Sequence, residues 1–122
     1  MIQHIVIVKW KPGTTDDQIL EAFRNARHLP NEIDGVQRIT MGRNRARSPH
    51  GFTHALIVQI DDEATLAEYL DHPVRRRYLA EHLQPIEEQR IEIDVPVDVA
   101  LDREQRTSWH WDVGMGMGLL ED

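Results

Sequence analysis

The sequence predicts an α+β domain whose strands and helices follow the order β-α-β-β-α-β. Two observations lead to this prediction. Segments with apolar residues at every second position, typical of strands, occur at 2–10, 52–60 and 90–99, and a further strand is expected at about 36–43. Helix-start signals and helical spacing separate the first strand from the second and the third from the fourth. This order is the split β-α-β, or ferredoxin-like, pattern.

The first strand, predicted over 2–10, is apolar on both faces. Ile5 and Ile7 fall on one face, and the opposite face carries His4, Val6, Val8 and Trp10. A strand with two apolar faces is expected in the centre of a sheet that is covered on both sides. Helices can cover one face, and a second surface has to cover the other.

A helix is predicted directly after this strand. Thr15-Asp16-Asp17-Gln18 matches a capping box, with a hydroxyl at the cap, an amide three residues later and acids in the first turn. Apolar residues continue at helical spacing to Ala26, and Pro30 predicts that the helix ends near His28.

The second and third strands form a predicted hairpin with a long, arginine-rich connection between 43 and 51. The third strand alternates clearly, and its larger apolar face carries Phe52, His54, Leu56, Val58 and Ile60. The hairpin therefore places a second histidine among apolar residues.

Two short helical segments precede the last strand. Asp61-Asp62 predicts the cap of the first segment, and Pro73 suits the first turn of the second, which Pro85 stops. The strand predicted over 90–99 places its apolar residues on one side: Ile91, Ile93, Val95, Val97 and Val99.

Composition limits the function classes. The chain has 122 residues, no cysteine and a net charge of −7. This length suits one domain with a small core, to which a partner subunit would add burial. The acidic excess argues against nucleic-acid and membrane-surface partners, and the missing thiols exclude disulfides and thiolate catalysis. The N-terminus lacks the pattern of a signal peptide, so we expect a cytoplasmic protein.

The tail, residues 100–122, alternates apolar residues with glycines and polar residues. The apolar positions are Trp109, Trp111, Val113, Met115, Met117 and Leu119. Period-two spacing favours an extended strand, although the same sequence is also compatible with a solvated tail. Because this much apolar side chain is poorly suited to water, we expect the tail to be docked on a partner subunit.

Five segments together resemble the stress-responsive α/β-barrel (Dabb) domain family in order and spacing, over about residues 2–97. They are His4–Thr14, Ile33–Val36, Gly42–Asn44, Gly51–Leu56 and Tyr69–Pro73. The resemblance implies a domain over 1–99, with a four-stranded antiparallel sheet and helices on one face. It further implies that two sheets pack face to face into a dimeric α+β barrel, and residues 100–122 lie outside it.

The same resemblance implies a candidate site between the sheet and the helices. His4, His54, Tyr69 and His72 stand where polyketide-cyclising members have pocket histidines and a tyrosine. Those members continue as His-Pro-x-His, and the last histidine is their acid/base. Here that position is Arg75, a poor proton acceptor, so the cyclase mechanism does not carry over unchanged.

The residues themselves leave alternatives open. We expect the first and third strands to be adjacent and parallel, which would bring His4 and His54 to the same end of the sheet. Both could transfer protons, or both could be structural. Tyr69 could stabilise an enolate or belong to the core, and His72 could cap the helix that Pro73 begins. Arg75 could hold a carboxylate or phosphate, or lie at a solvated surface.

These observations predict a homodimer that binds a small apolar or aromatic ligand. The expected catalytic residues are His4, His54, Tyr69 and His72, with Arg75 binding substrate, and we expect neither a metal nor a cofactor. The first hypothesis is a cofactor-free cyclase or isomerase. A non-catalytic stress-response or structural binding protein is the second, and a cofactor-free monooxygenase-like enzyme is the third. A hydrated cavity that contains two of the named polar side chains would separate the first hypothesis from the second.

Overall fold

The computed structural model describes residues 1–97 and consists of one sheet covered by a helical layer. In chain order the elements are β1 (Ile2–Trp10), α1 (Asp16–Ala26), α2 (Leu29–Glu32), β2 (Val36–Arg43), β3 (His54–Ile60), α3 (Glu63–Asp71), α4 (Pro73–Tyr78), a π-helical segment (Leu79–Leu83) and β4 (Glu87–Pro96). The predicted β-α-β-β-α-β order is confirmed. The extension predicted over 100–122 lies outside the described residues.

The four strands lie in the order β2-β3-β1-β4, and every neighbouring pair is antiparallel. The expectation of a parallel β1–β3 pair is therefore wrong. The hairpin reverses β3 relative to β2, and β3 then lies between β1 and β2, antiparallel to both. Val8 faces His54 and His4 faces Val58 in the register, so the two histidines lie about 13 Å apart along the sheet.

The helices cover one face of the sheet. Along β1 and β3 every second residue is buried against them, including His4, Val8, His54 and Ile60. The opposite face has no cover in a single chain. Its most accessible large apolar side chains lie along and directly after β4: Ile91, Ile93, Val95 and Val97 are between 37% and 51% accessible.

Several turns are fixed by local chemistry. Thr15 and Gln18 form the predicted capping box, and Asp62 caps α3 by accepting from the Thr65 amide at 2.8 Å. Gly35 has φ +85°, and a Cβ there would collide with the Thr65 side chain. Among residues 1–97 no helix is long and apolar enough to cross a membrane.

Several predicted boundaries differ from those observed; the third strand, for example, begins at His54 rather than at residue 52. Pro30 does not merely end α1: it lies in the first turn of the separate helix α2, where its missing N–H costs nothing. The last strand begins at Glu87 rather than at residue 90, because a register shift at Lys9/Trp10 lets Trp10 pair with Glu87.

Candidate functional site

A small cavity lies between the sheet and the helical layer, near the middle of β1. Its volume is about 20 Å³, which is room for about one water molecule. Aliphatic side chains such as Val6, Leu56 and Leu83 form most of its wall. The polar and aromatic side chains that line it are His4, Tyr69, Arg75, Tyr78 and Arg90. Two of the four predicted catalytic residues, His4 and Tyr69, are therefore brought together with Arg75.

His4 is completely buried and lies between two carboxylates of β4. Its Nδ1 is 2.6 Å from Oδ1 of Asp94, a charge-assisted hydrogen bond. Its Nε2 is 3.2 Å from Oε1 of Glu92, but the angles of that contact are not those of a hydrogen bond. The β1–β4 register produces this arrangement, because it aligns His4 with Asp94 and Val6 with Glu92.

Glu92 is the common partner of the basic side chains around the cavity. Oε1 accepts a hydrogen bond from Arg75 Nη2 at 2.8 Å, and Oε2 lies 3.1 Å from Arg90 Nε. The nearby imidazole of His4, together with the guanidinium groups of Arg75 and Arg90, lowers the pKa of the Glu92 carboxyl to about 2, although burial opposes the change. Glu92 is therefore ionised at neutral pH.

Arg75 is a buried cation with several partners. It is 8% exposed, donates to the Leu70 carbonyl at 3.2 Å and pairs with Glu92. Its guanidinium carbon lies 5.2 Å from the centre of the Tyr69 ring, within the range of a cation–π contact. The interpretation of Arg75 as a solvated surface residue is wrong, because the side chain turns inward beneath the helical layer.

Tyr69 completes the polar side of the cavity. It is 4% exposed, and its ring meets that of His4 edge-on with 5.5 Å between centroids. Burial raises the pKa of its hydroxyl, although the neighbouring Arg75 charge opposes that shift. The phenol therefore keeps its proton at neutral pH and can act as a hydrogen-bond donor.

Arg90, Glu92 and Asp94 were missed by sequence reasoning. The last strand was interpreted through its apolar residues, which face away from the helices. The alternating polar residues point to the helix-covered face, where charged side chains are costly to place without partners. The signal that could have identified these residues is that three ionisable side chains occupy alternate positions on that face.

His54 lies in different surroundings. It lines an open cavity of about 400 Å³ with Asp16, Phe23 and Arg43, well away from His4. Its Nδ1 accepts a hydrogen bond from Trp10 Nε1 at 2.9 Å. Burial lowers the pKa of His54, and the charge of Arg43 acts in the same direction. These contacts favour a neutral imidazole with its proton on Nε2.

His72 is placed as a helix cap. Its Nδ1 accepts from the Val74 amide at 3.1 Å, directly before Pro73 at the start of α4. It is not among the residues that line the small cavity. Within residues 1–97, no three His, Asp or Glu residues are grouped so that they could hold a metal ion.

Comparison with known proteins places this geometry in a family. The model of the Stress responsive A/B Barrel Domain (Dabb) matches residues 2–97. A stress-response A/B barrel domain-containing protein of Arabidopsis thaliana, At5g22580, is 28% identical over 81 residues, 64% of this chain and 70% of its own. Olivetolic acid cyclase of Cannabis sativa is 26% identical over 74 residues, 59% of this chain and 73% of its own.

Solved structures share the fold. The At3g17210 protein of Arabidopsis thaliana superposes with a TM-score of 0.74 at 22% identity, over 83% of this chain and all of its own. A hydroxynitrile lyase from Passiflora edulis gives 0.69 at 18% identity, over 81% and 95%. A dimeric ferredoxin-like protein of unknown function from Thermobifida fusca gives 0.65 at 25% identity, over 76% and 87%. The family match spans most of the chain and the fold agrees with it, so this protein belongs to the stress-responsive A/B barrel (Dabb) family.

Proposed function

We propose that this protein is a homodimeric, small-molecule-binding enzyme that catalyses cofactor-free proton transfer on a small apolar or aromatic carbonyl compound. The observation that carries the proposal is buried His4, which is hydrogen-bonded to the more exposed Asp94 and lines a cavity together with Tyr69 and Arg75. Polar groups that converge on a mostly apolar cavity are typical of binding and active sites. An enzymatic role is supported by a relative named as a cyclase and by a structure of the same fold named as a hydroxynitrile lyase.

In this proposal His4 is the proton carrier. The hydrogen bond of Nδ1 to Asp94 fixes the orientation of the ring and leaves Nε2 for chemistry. Nε2 is buried and finds no hydrogen-bond partner among residues 1–97. A protonated ring would deliver a proton from Nε2, and a neutral ring with its proton on Nδ1 would accept one there.

Tyr69 and Arg75 would stabilise the negative charge that develops when a proton leaves a carbon next to a carbonyl. A protonated phenol and a guanidinium are both hydrogen-bond donors, and donors in a dry site stabilise an enolate oxygen strongly. The aliphatic wall would hold the rest of the ligand. This proposal uses His4, Tyr69 and Arg75, and it leaves His54 and His72 outside the reaction.

The dimer is supported by the uncovered sheet face. Ile91, Ile93 and Val95 form an accessible apolar row beside Ile5 and Ile7 of β1. A contiguous apolar face of this kind marks an interaction surface. Structural neighbours described as dimeric proteins point to a second copy of the chain as the partner.

The proposal is tested by deuterium exchange. A panel of small aryl and cyclic ketones is incubated with the protein in D₂O, and loss of the proton next to the carbonyl is followed by ¹H NMR. We expect the wild type to accelerate exchange of at least one compound and His4→Gln to lose that acceleration. His28→Gln, which changes an exposed histidine, is the matched control.

Three outcomes contradict the proposal. Equal acceleration by wild type and His4→Gln would remove His4 from the chemistry. Binding of the ketones without any exchange would favour the non-catalytic binding protein. Consumption of oxygen with the same compounds, measured at an oxygen electrode, would favour the monooxygenase-like alternative.

A further inference from the structure

The Glu92 carboxylate occupies a position that is built to hold an anion. Three basic side chains that line the cavity meet at it: Arg75 at 2.8 Å, Arg90 at 3.1 Å and His4 at 3.2 Å. The planar guanidinium group of arginine is well suited to recognising carboxylates and phosphates. His4 also contacts Asp94 and Arg90 lies near Glu87, but Glu92 is the carboxylate that all three basic groups share.

Unused hydrogen-bonding capacity lies at the same place. Nη1 of Arg90 is buried and has no hydrogen-bond partner in the part of the chain that the structure describes, as is also true of His4 Nε2. This Arg90 atom lies 3.5 Å from Oε1 of Glu87, too far for a good hydrogen bond, and Oε2 of Glu87 is also buried without a partner in the described residues. Buried donors without partners are costly, and a bound acceptor would relieve that cost.

Glu92 is the member of this group that can leave. It lies on β4, an edge strand, and its side chain is 27% exposed, whereas that of Arg75 is 10% exposed and that of His4 only 1%. The cavity holds about 20 Å³, so a ligand larger than water needs additional space. Rotation of Glu92 toward solvent would provide space beside the basic groups while the aliphatic wall stays in place.

We propose that this is the site for the carboxylate of a small acid with an apolar or aromatic body, and that Glu92 occupies it in the free protein. The incoming carboxylate takes over the contacts to Arg75 and Arg90, and Glu92 turns out to water. The same exchange removes Glu92 from His4 Nε2, which frees that atom when the ligand is bound. The inference rests on the proposed function because it takes this cavity as the ligand site. It adds that the ligand carries a negative charge.

The test compares benzoate with benzamide, which has nearly the same shape but no charge. Both are titrated by calorimetry into the wild type, Glu92→Gln and Glu88→Gln. Glu88 lies on β4, as Glu92 does, and pairs with Lys9 of β1 away from the cavity. Removing the internal competitor should tighten benzoate binding by about tenfold or more in Glu92→Gln. Benzamide binding should change less than threefold, and Glu88→Gln should behave as the wild type.

Equal tightening for benzoate and benzamide would overturn the inference, because it would show that only space had been gained. Absence of benzoate binding to Glu92→Gln would overturn it as well. Should Glu92→Gln fold poorly, Arg90→Gln in the wild-type background serves instead, and it should weaken benzoate about tenfold while leaving benzamide unchanged.

Binding is measured without reference to turnover, so the two proposals can fail separately. Charge-selective benzoate binding without ketone exchange would reject the proton-transfer function and keep the anion site. Ketone exchange without any preference for benzoate would do the reverse.

Discussion

Glu92→Gln should destabilise the fold, and the loss should depend on pH. The Glu92 carboxyl has a pKa of about 2 in the folded protein against an ordinary value of 4.5. One unit of pKa corresponds to about 1.4 kcal/mol, so the ionised group stabilises the fold by about 3 kcal/mol at neutral pH. Removing the charge also leaves Arg75, which is 8% exposed, without its counter-ion.

The direction of the pH dependence follows from the lowered pKa. A group whose folded pKa is depressed stabilises the protein fully above its unfolded pKa, here 4.5, and this contribution disappears as pH falls through the folded value of about 2. Wild type and Glu92→Gln should therefore differ by about 3 kcal/mol at pH 7, and the difference should shrink steadily below pH 4.5.

The assay is urea denaturation at fixed protein concentration between pH 3 and pH 7, with Glu88→Gln as the control. Glu88 is 43% exposed and pairs with Lys9 at the surface, so its substitution should cost less than about 1 kcal/mol. A Glu92→Gln effect that stays constant over this range would contradict the ion-pair explanation. So would an effect no larger than that of the control.

Three further predictions concern other parts of the molecule. Ile93→Asp places a charge in the uncovered apolar row and should shift the sedimentation mass of a dimer toward that of the monomer, whereas Glu88→Gln should not. Gly35→Ala forces a side chain into a left-handed turn against Thr65 and should lower stability by about 1–3 kcal/mol in urea denaturation; an unchanged midpoint would contradict this. Tyr69→Phe removes only the hydroxyl and should slow ketone exchange at least about tenfold with little loss of stability, so unchanged exchange would exclude the phenol as a donor.

Much of the fold could be predicted because local chemistry and pattern agree. The capping box at Thr15, the cap at Asp62 and the proline at 73 each mark a helix start that the structure contains. The alternation in the first and third strands gave the correct buried face. None of these local signals encodes strand direction. The β1–β3 pairing was predicted wrongly because direction depends on topology: β3 lies between β1 and β2, which run parallel, and must be antiparallel to both.

The candidate site was predicted only in part, because some of its contacts depend on strand pairing rather than on local signals. His4, Tyr69 and Arg75 meet because β1, α3 and α4 enclose one cavity, and the resemblance to the family had indicated their positions. The partners on β4 depend on the strand register, which aligns His4 with Asp94 over a sequence separation of 90 residues. No short-range pattern specifies such an alignment. The pairing of Arg75 with Glu92 depends on the same strand register.

The most direct measurement of the central claim is the rate of deuterium exchange into the best ketone of the panel by wild type and Asp94→Asn. The substitution keeps the shape at the Nδ1 side of His4 but removes the charge that orients the ring. We expect acceleration by the wild type and a loss of about 100-fold in Asp94→Asn, with the fold retained. Equal rates for the two proteins, or no acceleration of any compound by the wild type, would contradict it.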